Sequence, residues 1–319
     1  MFLGIDTSNY TTSAALFDDK TGKIVQSKKL LPVKEGELGL RQSDAVFSHV
    51  KQLGDMVSSV FEEYDGKILA VGASTHPRDT EGSYMPCCLV GEMAASCIGA
   101  SCKIPVLRFA HQQGHVAAAL YSANRLDLLK ERFIAFHLSG GTTEALLVEP
   151  DDSRIIRCTK IGGSSDLKAG QAVDRVGVML GLPFPAGKYL EELAKKSSRT
   201  FRIKPVMNGM ECSLSGVENK CKKMFESGEK AEDIALFCLK YIEAALCGIT
   251  EAAIAEYGKL PLVYAGGVMS NGIIRSTVEK KYGGIFAKPE FSSDNAAGVA
   301  VLTAIAYKKI KGETLCAGI

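Results

Sequence analysis

The chain has 319 residues, 46% of them hydrophobic, with 38 basic against 36 acidic side chains and a net charge of +2. That supplies apolar material for one large core or two ordinary ones, no run near the ~20 residues that span a bilayer, and no global field to hold nucleic acid. Ten cysteines without a CxxC pair argue against a zinc knuckle or thioredoxin-type site, and MFLGIDTSN lacks a basic leader, so a soluble cytoplasmic protein with reduced cysteines is expected.

Residues 2–6, FLGID, read as an apolar strand ending in a carboxylate, followed by a hydroxyl-rich turn over 7–13 and apolar residues 14–17. A third strand is expected over 23–30. Residues 43–64 place Val46, Val50, Leu53, Val57, Val60 and Phe61 at helical spacing, with Ser43 or Asp44 as N-cap and His49 as a surface or packing residue. A strand over 68–74, an irregular stretch over 75–86, a small-residue helix over 87–100 and a short strand over 104–107 come next. The segment AHQQGHVAAAL at 110–120 favours helix and puts His111 and His115 four apart on one face. Such a pair can hold a metal ion if a third ligand comes from elsewhere, or it is two unrelated polar residues.

Residues 133–149 form an apolar strand, a break at Ser139, Gly140, Gly141, Thr142 and Thr143, and a second apolar strand. This is an ordinary hairpin or a phosphate cradle, in which backbone N–H groups approach an anion where glycine leaves room. The chain opens with the same design about 130 residues earlier, which suggests a duplicated pair of domains facing one ligand. That layout resembles the actin-like ATPases and sugar kinases. Beyond it, 161–165 read as a glycine-rich turn and 171–181 as a helix in which Asp174 and Arg175 make a surface ion pair. LPFPAG at 182–187 breaks that helix. A long helix is expected over 233–257 and a strand over 260–265. The strand runs into Gly266-Gly267, with a helix over 271–281, an arrangement by which nucleotide-binding domains bring backbone to a ligand. Finally SSDNAAG opens a helix to residue 310, with Asp294 as its N-cap by type.

The ordered set GIDTSNYTTSAA, HQQGHVAAA, HLSGGTTEALLV, QAVDRVGVMLGLPFPAG, CSLSGVENK, VYAGGVMSNGIIR and SSDNAAGVA, spread over nearly the whole length, resembles the TsaD-type catalytic subunit of tRNA threonylcarbamoyladenosine synthase, the group once called O-sialoglycoprotein endopeptidases. The resemblance implies an α/β fold of two lobes, the actin-like ATPase (ASKHA) fold, with duplicated mixed sheets and a central nucleotide cleft. Residues 1–107 would form the N-terminal lobe, with the helix over 298–319 packing on it, and 108–297 the C-terminal lobe. It implies a metal, iron or zinc, on His111, His115 and Asp294. It also implies an ATP, AMP or acyl-adenylate ligand, with magnesium as an optional companion. The ligand contacts would be Asp6, Thr7, Ser8, Asn9, His137, Leu138, Ser139, Gly140, Gly141, Asp174, Gly187, Gly266, Gly267 and Asn271.

The implied reaction moves a threonylcarbamoyl group from its adenylate to a tRNA adenosine, with helper subunits or a paralogous partner in view. Several positions depart from the family pattern. Thr142 stands where a histidine is usual, Tyr10 and Thr11 where acids are common, Glu218 where a lysine is expected, and THPRDTEGSYMP replaces a GPG-containing loop. A divergent paralogue is the resulting expectation. A carbamoyltransferase with a non-tRNA acceptor and a non-catalytic scaffold are the alternatives.

Overall fold

The computed structural model describes residues 1–32, 40–62, 64, 66–294 and 296–313. They group into two compact units: Met1–Glu131, Val148–Cys158 and Ser293–Ile319 in the first, Arg132–Leu147 and Thr159–Ser292 in the second. The boundary expected at residue 107 thus falls at Glu131, and the histidine-bearing helix belongs to the first unit. The last six positions of the 298–319 segment lie outside the described residues.

In the first unit, β1 (Phe2–Asp6), β2 (Thr11–Phe17) and β3 (Ile24–Leu30) form an antiparallel meander. Helix α1 (Gln42–Glu62) leads to β4 (Ala70–His76), and α2 (Cys88–Cys102) to β5 (Val106–Ala110). β4 runs parallel to β1 and β5 parallel to β4, giving the order β3-β2-β1-β4-β5. β1 and β2 are buried along their whole length, as strands are when helices cover both faces. Leu3, Ile5, Val71 and Ala73 meet Leu53, Met56 and Val60 of α1 and Val90 and Ala95 of α2. The other face takes α10 (Ala297–Lys311), which also packs on α3 (His111–Ser122). There Gly298 admits no side chain, because a Cβ would lie 2.7 Å from the Ala118 amide nitrogen. The chain just ahead of α10 is thereby held against α3.

The second unit repeats the plan. It contains β6 (Phe133–Leu138), β7 (Thr143–Asp151) and β8 (Ile155–Ser164) apart from their Val148–Cys158 portion, α4 (Ala169–Met179), α5 (Gly187–Ala194), β9 (Val206–Asn208) and β10 (Glu211–Ser213). Then come α6 (Ser215–Glu226), α7 (Ala231–Tyr257), β11 (Leu262–Ala265), α8 (Gly272–Tyr282), β12 (Ile285–Phe286) and α9 (Pro289–Ser292). The order β8-β7-β6-β11-β12 matches β3-β2-β1-β4-β5, and β10 and β9 extend it beyond β8. β11 is parallel to β6 and β12 to β11, so the duplication read from the two hydroxyl- and glycine-rich turns extends to five strands. The core is built on α7 together with a ladder of stacked rings, Phe136 on Tyr264 at 4.9 Å and Tyr264 on Phe286 at 4.8 Å.

Two expectations are corrected. Residues 161–165 are not a turn, because β8 runs through Gly162 and Gly163, where it pairs with β10. The last helix starts at Ala297 rather than near Ser292, and its N-cap position is Ala296. Asp294 therefore stands off the helix and is free of capping.

Candidate metal centre and nucleotide turns

Within the first unit, β1, β4 and β5 are parallel and end at Asp6, His76 and Ala110. Carboxyl ends of such strands are where open α/β sheets place their chemistry. His111 is the first residue of α3, and His115 lies one turn on. Their Nε2 atoms are 2.9 Å apart, and Asp294 Oδ1 is 3.1 Å from His115 Nε2 and 3.6 Å from His111 Nε2. Bonds of about 2.1 Å at angles of 90–110° place donor atoms about 3.0–3.4 Å apart. The triangle, with nitrogen and carboxylate donors on one small volume, fits a divalent ion.

Asp6, 2% exposed, backs this centre. Its Oδ2 lies 2.9 Å from His111 Nδ1, while Oδ1 accepts the Ser8 amide at 2.9 Å and the Ser8 hydroxyl, which also reaches His111 Nδ1. A carboxylate behind the ring fixes the Nδ1–H tautomer and turns Nε2 toward the ion. Burial works against a charged His111, yet Asp6 and Asp294 outweigh it and push the ring up to about 10. Asp294 is held well below the usual carboxylate range: burial opposes this, and the bonds from His111 and His115 prevail. Asn9 donates from Nδ2 to Asp294 Oδ2 at 3.0 Å. Thr7 is drawn elsewhere. Fully buried, its hydroxyl donates to the Cys87 carbonyl at 2.8 Å and accepts the Gly91 amide at 3.0 Å, fastening the start of α2.

In the second unit, β6 and β11 are adjacent and parallel, with His137 opposite Ala265. The turn after β6 and the turn after β11 therefore lie side by side. Gly140 and Gly141 are exposed at the first. Ser139 closes it, its amide on the Thr142 carbonyl at 2.7 Å and its Oγ accepting the Thr142 amide at 3.1 Å. α4 starts on this turn, with the Gly170 amide on the Ser139 carbonyl at 3.1 Å and the Ala169 amide on Thr143 Oγ1 at 2.8 Å. His137 and Leu138 are buried strand residues beneath it. Gly266 follows β11 at φ +97°, Gly267 opens a short 3-10 turn over Gly267–Ser270, and Asn271 caps α8 by accepting the Ile273 and Ile274 amides at 3.1 and 3.2 Å.

Asp174 does not pair with Arg175. It accepts the Ala186 amide at 2.8 Å, directly ahead of Gly187 at the start of α5, and burial raises its carboxyl above the ordinary value. Arg175 instead meets Glu218 at 2.9 Å.

His49, expected as a surface or packing residue, is wholly buried and bonded to Thr12 Oγ1 and the Asn9 carbonyl. The buried stripe of α1 is Ala45, His49, Leu53, Met56 and Val60, while Val50 stays 57% exposed. Spacing of four and three from Leu53 could have placed His49 inside.

The duplicated five-strand plan is that of the actin-like ATPase and sugar-kinase fold. The solved structure of full-length HypF superposes with a TM-score of 0.62 at 13% identity, over 98% of this chain and 46% of that one, a likeness of fold. Residues 25–301 match the family model TsaD, tRNA N6-adenosine threonylcarbamoyltransferase. The chain belongs to this family and with it to the transferases. Relatives named tRNA N6-adenosine threonylcarbamoyltransferase include one from Archaeoglobus fulgidus, 26% identical over 96% of this chain and 91% of that protein. Another, from Nitrosospira multiformis, is 28% identical over 98% of this chain and 93% of that protein.

Proposed function

We propose that the chain moves a threonylcarbamoyl group from its adenylate to the exocyclic amine of a tRNA adenosine, with one divalent metal, iron or zinc, on His111, His115 and Asp294. The observation that carries this reading is the donor triangle, three groups from distant segments at ligand-like separations in a chain of this family. When bound, the ion supplies Lewis acidity to a substrate oxygen. Asp6 and Ser8 set the tautomer of His111, and Asn9 orients Asp294. The adenylate, with or without magnesium, lies on the backbone of residues 139–141 and of Gly266 and Gly267, where the exposed Gly140, Gly141 and Gly267 offer N–H groups to its phosphate. Asp174 and Asn271 act by holding backbone, Asp174 ahead of Gly187 and Asn271 at the start of α8.

The amine attacks the carbamoyl carbon, a C–N bond forms, and the C–O bond to phosphate breaks. AMP departs with the electron pair and the amine gives up its proton. No protein nucleophile is needed. The proposed partners are tRNA and helper subunits or a paralogue, and the proposed compartment is the cytoplasm. Among the described residues no helix is long and apolar enough to cross a membrane.

A second reading keeps this chemistry and changes the acceptor. Glu218, an acid where the family commonly has lysine, favours it, because phosphate backbones are held by cations. Elemental analysis of protein purified without chelator, followed by tRNA carbamoylation with supplied threonylcarbamoyl-adenylate, separates them. Metal with modified tRNA supports the first reading and metal without it the second. Protein that takes up neither metal nor nucleotide is a scaffold.

A further inference from the structure

Asn9 has φ +94°, in the left-handed region that L side chains rarely adopt. Asparagine tolerates this region better than most side chains, and contacts around it select the conformation. The Asn9 carbonyl meets His49 on α1. Its Nε2 lies 3.1 Å from the Asn9 carbonyl oxygen, which carries no proton, so Nε2–H is the donor. Its Nδ1 lies 2.7 Å from Thr12 Oγ1, whose hydroxyl donates to Gln52 Oε1 at 3.0 Å. Held in this way, Asn9 sends Nδ2–H to Asp294 Oδ2 at 3.0 Å, while Oδ1 of the same carboxylate stands 3.1 Å from His115 Nε2. A carboxylate can meet an ion through either oxygen or both. With Oδ2 occupied by Asn9, Oδ1 is the one presented to the two histidines.

We infer that His49 is a positioning residue for the centre: through the backbone of Asn9 it fixes which oxygen of Asp294 faces His111 and His115. The inference rests on the reading of those three residues as metal ligands. It differs from a packing role for His49 in the buried stripe of α1, which would affect stability alone.

Zinc alone is the probe, its affinity for the full-length protein read by competition with a chromophoric chelator and the melting temperature of each chelated variant recorded beside it. Outer partners of metal ligands typically contribute 10–100-fold to affinity, so Asn9→Ala and His49→Ala each weaken zinc by about tenfold or more. His49→Gln, which keeps an N–H at the Nε2 position, stays within about threefold of the parent. Because the residues act in series, the double variant is no weaker than the poorer single one. Parental zinc affinity in Asn9→Ala overturns the inference, as does a His49→Ala protein that melts lower yet binds zinc unchanged. Should His49→Ala fail to fold, Asn9→Ala on its partly exposed turn decides. Failure of the parent protein to bind zinc, cobalt or iron removes the metal reading itself, an outcome distinct from either.

Discussion

The candidate centre of the first unit is made of side chains, and the turns of the second unit are made of backbone. His111, His115 and Asp294 meet through donor atoms that Asp6, Ser8 and Asn9 orient by hydrogen bonds. The turn after β6 has few side chains at all, and α4 and β11 shape it by close approach. A region of the first kind breaks when a side chain loses an atom, one of the second kind when a backbone gains one. Four changes sharpen that contrast.

The largest effect is expected in the first region. Losing one of three ligands should exceed the roughly 100-fold cost of losing an outer partner, so Asp294→Ala and His111→Ala should each bind zinc more than about 100-fold weaker in chelator competition. Nucleotide affinity of the isolated protein, measured alongside, should change little if the two regions are built separately. A parental zinc affinity in either variant ends the assignment of these ligands.

Next comes pH, because two histidines of the first unit, His111 and His49, shift in opposite directions. His111 is pushed up to about 10, against about 6.5 in an unfolded chain. In chelated protein its contribution is therefore complete below about pH 6.5 and is lost as pH rises toward 10, a change on the order of 2–4 kcal/mol. His49 is lowered, chiefly by burial. The unfolded chain then binds the proton that the folded one refuses, so stability falls as pH drops below about 6.5. Urea midpoints across pH 5–9 should pass through a maximum. His111→Gln should flatten the alkaline limb and His49→Gln the acid limb.

A single methyl tests the second region. A Cβ on Gly170 would lie 2.6 Å from the Gly140 amide nitrogen and 2.7 Å from the Ser139 carbonyl carbon. Neither neighbour is a flexible side chain. Gly170→Ala should cost about 1–3 kcal/mol of stability and displace the turn, weakening AMP binding about tenfold, whereas zinc affinity should hold. Unaltered AMP binding in a folded variant would move the nucleotide away from this turn.

How far each region could be read from sequence follows from the same distinction. The first strand of each unit and the duplication were legible because burial on both faces leaves continuous apolar runs such as FLGID and FIAFHL, and because the two turns repeat, whereas the strand order was not read. Paired glycines marked two backbone turns correctly, yet Gly162 and Gly163 carried the same local signal inside β8, where pairing with β10 decides. His111 and His115 showed their shared face through spacing. Asp294, 179 positions from His115, read locally as a helix cap, and only the packing of α10 on α3 brings it to the histidines. The turn residues after β1 divide in a way no local pattern contains. Asp6, Ser8 and Asn9 serve the centre, whereas Thr7 between them serves α2.

The smallest effect concerns the acceptor rather than either scaffold. Arg175 and Glu218 form an ion pair with side chains 40% and 38% exposed, and pairs this accessible contribute about 0–1 kcal/mol. Glu218→Lys should therefore lower the melting temperature by a few degrees at most, although it sets two cations against each other. On tRNA the same change exchanges an anion for a cation and frees Arg175 from its partner. If α6 faces the phosphate backbone, affinity should rise and the dependence of log affinity on log salt should steepen by about one to two counterions. Zinc and AMP binding should not move, since Glu218 touches neither set of residues. A salt dependence identical to the parent's would place tRNA away from α6, and combined with absent tRNA product it would favour an acceptor that is not a nucleic acid.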